Sequence, residues 1–252
     1  MKRFGSLFIV ITIFTTVIAA QKTTASPTQA AVEFYRALKD KHYVEGFRRS
    51  VYRGAIEGLS SAELKELEPD FAATFSEIPE KIEARGEQIT GDTAIVSLKF
   101  DGTEELQQVA LIRVGGEWLV GDREAFEAVT AQGRNFFFNT RIAVNEDEAF
   151  KMLARMLGAE VIYYQKFDGR CAPLQELIRL GGVPRDIEGG QANGYRFTFA
   201  LGEDQKSFFA TATPIVYGKT GRLSFYADLS AVRAEDLKGQ PASASSPVYQ
   251  PK

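Results

Sequence analysis

The segment NEDEAFKMLARMLGAEVIYY, residues 145–164, sets apolar side chains at Ala149, Leu153, Met156, Leu157, Val161 and Tyr164. Spacings of three, four and seven residues place them on one stripe of an α-helix. Asn145 with Glu148 three residues on has the form of a helix-capping pair, so the helix is expected to start there. The segment 169–173, GRCAP, ends it, a short helix over 174–180 follows, and Gly181-Gly182 and Gly189-Gly190 bracket a loop. Beyond that the period changes. Tyr195 to Phe199, Ser207 to Thr213 and Leu223 to Ala227 alternate as strands. A helix, a loop and then an antiparallel sheet is the order that decides this half of the chain.

The N-terminal half reads the same way. Ser26-Pro27-Thr28-Gln29 opens a helix, with Ser at the cap and Pro at the first helical position. Ala30, Ala31, Phe34 and Leu38 then form its buried stripe. Ser60-Ser61-Ala62-Glu63 is a second capping box, and Pro69 is expected to stop that helix. Phe71, Phe75 and Ile78 mark a further short helix closed by Pro79. Strands follow: a weakly alternating one over 81–88, then a clear one over 93–100 with Ala94, Val96, Leu98 and Phe100 on one face. Residues 106–114 return, and Gly115-Gly116 turns a tight hairpin into Glu117-Trp118-Leu119-Val120. Residues 123–134 read as a terminal helix or linker broken at Gly133. The fold class is α+β throughout.

Two resemblances follow from these patterns. Helices leading into a curved antiparallel sheet that ends in a Trp-bearing hairpin resemble the cone fold of the nuclear-transport-factor-2-like superfamily, over residues 26–130. Asn145-Glu146, Ala159-Glu160, Tyr164, Gly194-Tyr195 and Phe225-Tyr226-Ala227-Asp228 occur in an order that resembles the soluble half of type IV pilin-like proteins and type II secretion pseudopilins, over residues 131–239. The membrane-embedded half of the pilin helix is replaced here by Asn135-Phe136-Phe137-Phe138, and the paired-cysteine loop of some major pilins is absent. The resemblance implies a part that docks within an envelope assembly.

At 252 residues with 44% hydrophobic and 25% charged content, the chain has ample material for one large or two small cores. A net charge of −3 with no Lys/Arg-rich run argues against nucleic acid. Lys2 and Arg3 precede an apolar run from Leu7 to Ala20, followed by small residues suited to cleavage. That is the form of a secretory signal peptide over residues 1–25, and a run too short to span a bilayer comfortably. The protein is therefore expected to be periplasmic or secreted, with membrane association only if this segment is retained. The Pro/Ser/Ala-rich tail, 240–252, is expected to be disordered.

Groups able to do chemistry are few. One cysteine, Cys171, and one histidine, His42, exclude an intrachain disulfide and His-pair or Cys-cluster metal sites. His42 is read as a helix-end residue, Cys171 as a bystander thiol that Arg170 could acidify, and Asp92, Asp101 and Asp122 as turn residues. Phe34, Phe71, Phe75 and Trp118 are read as core, with a cavity-lining role as the alternative. Arg48, Arg49 and Arg53 are read as a solvated cluster. Asp228, Glu235 and Asp236 lie where some pseudopilins hold calcium, without EF-hand spacing. Phe136, Phe137 and Phe138 are expected to be interdomain glue. No catalytic, cofactor-binding or metal residue is assigned. The expected function is non-catalytic docking to envelope proteins, near a pilus or type II secretion-like assembly; the alternative is a small-molecule binder using the cone's cavity, and an enzyme is not expected.

Overall fold

A computed structural model describes residues 25–251. The signal-peptide reading falls outside them. Seven α-helices, α1 (Pro27–Lys39), α2 (Tyr43–Arg48), α3 (Arg53–Glu57), α4 (Ser61–Thr74), α5 (Arg123–Gln132), α6 (Phe136–Lys166) and α7 (Leu174–Arg179), accompany two antiparallel sheets among these residues. The first sheet runs in the order β1 (Ile82–Thr90), β2 (Thr93–Phe100), β3 (Leu106–Val114), β4 (Glu117–Val120). The second follows as β5 (Gln191–Ala192), β6 (Tyr195–Leu201), β7 (Phe208–Pro214), β8 (Ser224–Ala227), β9 (Val232–Glu235). The α+β class is as expected, with helices leading into antiparallel sheets.

Local chemistry explains most boundaries. The Ser26 hydroxyl accepts from the Gln29 N–H at 3.1 Å, and the Ser60/Glu63 capping box closes in both directions. Gly115 and Gly116 sit at φ +58° and +85°, the left-handed pair that a two-residue hairpin between Val114 and Glu117 requires. Ala94, Val96 and Leu98 of β2 bury one face beneath Ala30, Phe34 and Leu38 of α1. Burying Phe34 and Leu38 contributes about 2–3 kcal/mol each. Among the described residues a second core gathers Leu153 and Met156 of α6, Leu177 of α7, and Tyr195, Phe197, Phe208 and Phe225 of the second sheet.

Five expectations need correction; the separate helix expected around Phe71, Phe75 and Ile78 does not form, Phe71 belonging to α4 and Phe75 to the turn that ends it. The long helix does not begin at an Asn145 cap; it begins at Phe136, because the three preceding turns are anchored by phenylalanines in the N-terminal core. Asn145, freed from capping, donates its amide to the Thr220 carbonyl at 2.9 Å. Pro69 does not stop α4. The helix runs through it to Thr74, since Leu67 and Phe71, four residues apart, bury the same face and offset the cost of the missing N–H. Lastly, the tail is ordered against the second sheet. Val248 bridges Arg233, the Tyr249 N–H donates to Val232 O at 3.0 Å, and the Tyr249 ring packs on Phe150 and Phe225. Its composition hid one aromatic anchor and the buried Ala242 and Ser246. His42 lies past the end of α1, at the start of α2, with an exposed side chain 3.9 Å from Glu45.

Candidate functional site

The two cores meet along the first part of α6. Phe137 inserts into a ring cluster of Phe47, Tyr52 and Phe71, with centroid separations of 5.0–6.1 Å, and Phe136 packs on Tyr52 at 5.4 Å. These rings pack the start of α6 onto the N-terminal core. Polar contacts frame them. The Arg141 guanidinium donates from Nε to Asp70 Oδ2 at 2.6 Å, from Nη1 to Glu66 Oε1 at 3.1 Å, and from Nη2 to the Glu66 carbonyl at 2.9 Å. It also lies over the Phe138 ring. Lys219, from the loop before β8, reaches Glu66 Oε2 at 2.8 Å, and this ammonium followed by Arg141 holds the Glu66 carboxyl below its usual range. Arg134 joins Glu63 at 2.5 Å; Glu63 is lowered to about 2, first by the Ser60 N–H and hydroxyl and then by Arg134.

A cavity of about 530 Å³ opens at this seam. Its wall is aromatic, from Phe47, Tyr52, Phe71, Phe75, Phe136 and Phe137, and its rim carries Asp70, Thr140, Arg141, Asn145 and Asn193. Beneath the first sheet, among the described residues, Phe34, Leu38, Val96, Leu98 and Leu111 are buried against one another. Phe71 and Phe75 thus line a cavity, but at the seam rather than beneath the first sheet; Phe34 and Trp118 are packing residues.

The second sheet has one covered and one open face. Tyr195, Phe197, Phe208, Ala210, Ala212, Phe225 and Ala227 turn to the core. The register puts Arg196, Thr198, Phe209, Thr211 and Tyr226 on the other side. There the exposed Phe209 ring stacks parallel to Tyr226, 6.3 Å between centroids and 10° between planes, beside a 2.7 Å hydrogen bond between the Thr198 and Thr211 hydroxyls. The C-terminal stretch covers the far end of this face, where Ser246 bonds Glu235 and its carbonyl accepts from Arg233.

Asn145, Glu146, Gly194 and Tyr195 lie at the joints between α6 and the second sheet. Glu146 Oε1 accepts the backbone N–H groups of Arg222 and Leu223 at 2.7 and 3.0 Å. Gly194, at φ +74°, abuts the Asn145 amide. Tyr195 is buried and donates to Leu223 O at 2.8 Å. Glu160 is buried too. Its Oε2 accepts the Ala172 N–H at 3.0 Å, while Oε1 has no hydrogen bond of ordinary geometry among the described residues, although the Cys171 thiol stands beside it. Burial pushes the Glu160 carboxyl up to about 6 against the relief of these two donors. Cys171 is pushed up to about 11, by burial first and then by the Glu160 charge, so Arg170 does not acidify it. The thiol stays protonated at neutral pH.

The remaining candidates are structural in their contacts. Asp122 caps α5 through the Ala125 N–H at 2.8 Å, the Asp92 carbonyl accepts the Arg113 N–H, and the Asp101 N–H donates to the Lys81 carbonyl. Arg49 pairs with Glu33, Arg48 with Glu57 and Arg53 with Glu117, so the basic cluster is neutralised. Asp228 Oδ1 accepts from Ser230 and Ala231, Asp236 meets Tyr217 and Lys238, and no group of three or more His, Cys, Asp or Glu among the described residues is placed to hold a metal. No described helix is long and apolar enough to cross a membrane. Compared with protein-family models, with curated proteins and with solved structures, the chain matches none.

Proposed function

We propose that this is a non-catalytic docking protein of the bacterial envelope, a cone-like unit joined to a stemless pilin-like unit. The open face of the second sheet is its contact surface. The observation that carries this reading is the Phe209–Tyr226 pair, two rings stacked on the solvent side of a sheet whose other side already packs on α6. Aromatic rings set among hydroxyls and one arginine have the composition of a protein contact patch. Thr198 and Arg196, both exposed, offer hydrogen-bonding groups beside the rings, while Thr211 is buried and bonded to Thr198.

The test is affinity capture of the full chain from gently solubilised envelope, beside a Phe209→Ser/Tyr226→Ser variant and a signal-peptide-only control. Pilus or secretion components enriched by the wild type and lost by the variant are the expected result. Equal recovery by wild type and variant would place the contact elsewhere, and recovery of the bait alone would refute docking.

A further inference from the structure

We propose that the seam cavity is a binding site for an uncharged, ring-bearing small molecule. The cavity's volume of about 530 Å³ lies in the range that holds such ligands, roughly 300–1,000 Å³. Its concavity separates it from the open sheet face. Its walls come from the N-terminal core and the first turns of α6, with Asn193 of the second half at one side, so a compact molecule fits it better than a flat protein surface does.

Charge decides the chemical class. The cation at the rim, Arg141, is already held by Asp70 and Glu66, and Glu66 is shared with Lys219. An anionic ligand would have to displace a carboxylate from a guanidinium that is only 13% exposed. A cationic ligand would meet carboxylates already paired with Arg141 and Lys219. A neutral ligand disturbs neither arrangement. Phe47 and Phe71 are buried behind the wall, and the half-buried rings of Tyr52, Phe75, Phe136 and Phe137 keep surface that suits stacking or edge-on contact with another ring. The Asn145 carboxamide commits an N–H to Thr220, which leaves its carbonyl oxygen as an acceptor at the rim. A single donor on the ligand would meet it.

The experiment uses the full chain and N-phenyl-1-naphthylamine, an uncharged dye of one naphthyl and one phenyl group that brightens in apolar surroundings. Saturable one-to-one binding is expected. Thr140 and Ala73 line the cavity from α6 and α4 and are both exposed, so Thr140→Trp and Ala73→Trp fill its mouth from opposite sides without entering either core. Each is expected to weaken the dye by about tenfold or more, the equivalent of losing one good apolar contact. Phe209→Ser, on the open sheet face, should leave binding unchanged. Matching helical content and melting temperature certify the folded variants. Binding absent in the wild type, indifferent to both tryptophans, or lost in Phe209→Ser would overturn the assignment.

Discussion

Glu160→Gln is expected to stabilise the protein at neutral pH and to have little effect in acid. The Glu160 carboxyl is enclosed beneath the 169–173 segment, accepts one backbone N–H from Ala172, and leaves its second oxygen without an ordinary hydrogen bond. Its proton is therefore held more tightly in the folded chain, at about 6, than in the unfolded chain near 4.5. A carboxyl raised in this way contributes fully below about pH 4.5 and loses that contribution as pH rises through about 6. At about 1.36 kcal/mol per pH unit, the wild type forfeits up to about 2 kcal/mol between pH 4.5 and 7.5. Glutamine keeps an acceptor for the Ala172 N–H and cannot ionise. Part of the gain is offset because a neutral carbonyl accepts less strongly than a carboxylate. Urea unfolding of both proteins at half-unit pH steps reads the difference. The gap between variant and wild type should widen by about 2 kcal/mol over that interval, roughly 5 °C in melting temperature for a chain of this size. A constant gap, or one that closes as pH rises, would refute the buried-charge reasoning.

Arg141→Ala removes a guanidinium held by Asp70, Glu66 and the Glu66 carbonyl and lying over Phe138. It should cost about 2 kcal/mol in thermal or urea unfolding, while a surface pair such as Lys151 with Asp147 should cost under about 1 kcal/mol. Tyr249→Ala withdraws the ring packed on Phe150 and Phe225 and should cost about 2–3 kcal/mol, with limited proteolysis then cutting inside 240–251. A tail that stays uncut in the variant would mean that Ala242 and Ser246 suffice to hold it.

Elements set by local chemistry were legible in the sequence. Ser26, the Ser60/Glu63 box and Gly115-Gly116 act on neighbours within three residues, and the structure places each where its pattern indicated. Strand alternation in 93–100 likewise reported a sheet with one buried face. What escaped is decided across distance. The start of α6 depends on Phe136 and Phe137 finding Phe47, Tyr52 and Phe71, and no pattern within α6 encodes that meeting. Arg141 reaches Asp70 across 71 residues of chain, so the seam and its cavity have no sequence signature. Glu160 sits within a helical stripe whose neighbours are apolar, a charged residue amid core positions, and that contrast was the available clue. The tail and β9 were missed because one tyrosine, Tyr249, carries what composition averages away.

Helix α6 spans 31 residues, about 46 Å, and belongs to both cores without a hinge between them. The chain therefore resists dissection. A fragment ending near residue 130 would leave Phe47, Tyr52 and Phe71 without Phe137, and one beginning after residue 131 would carry Phe136 and Phe137 naked into water. Either piece would expose an oily scar, prone to self-association and to capture by chaperones. Amide exchange along the beam should report one cooperative block in place of two, since fraying at either end unseats the rings or the sheet that the other depends on. Selection acting on one half of this protein is thus felt, through a single helix, by the other.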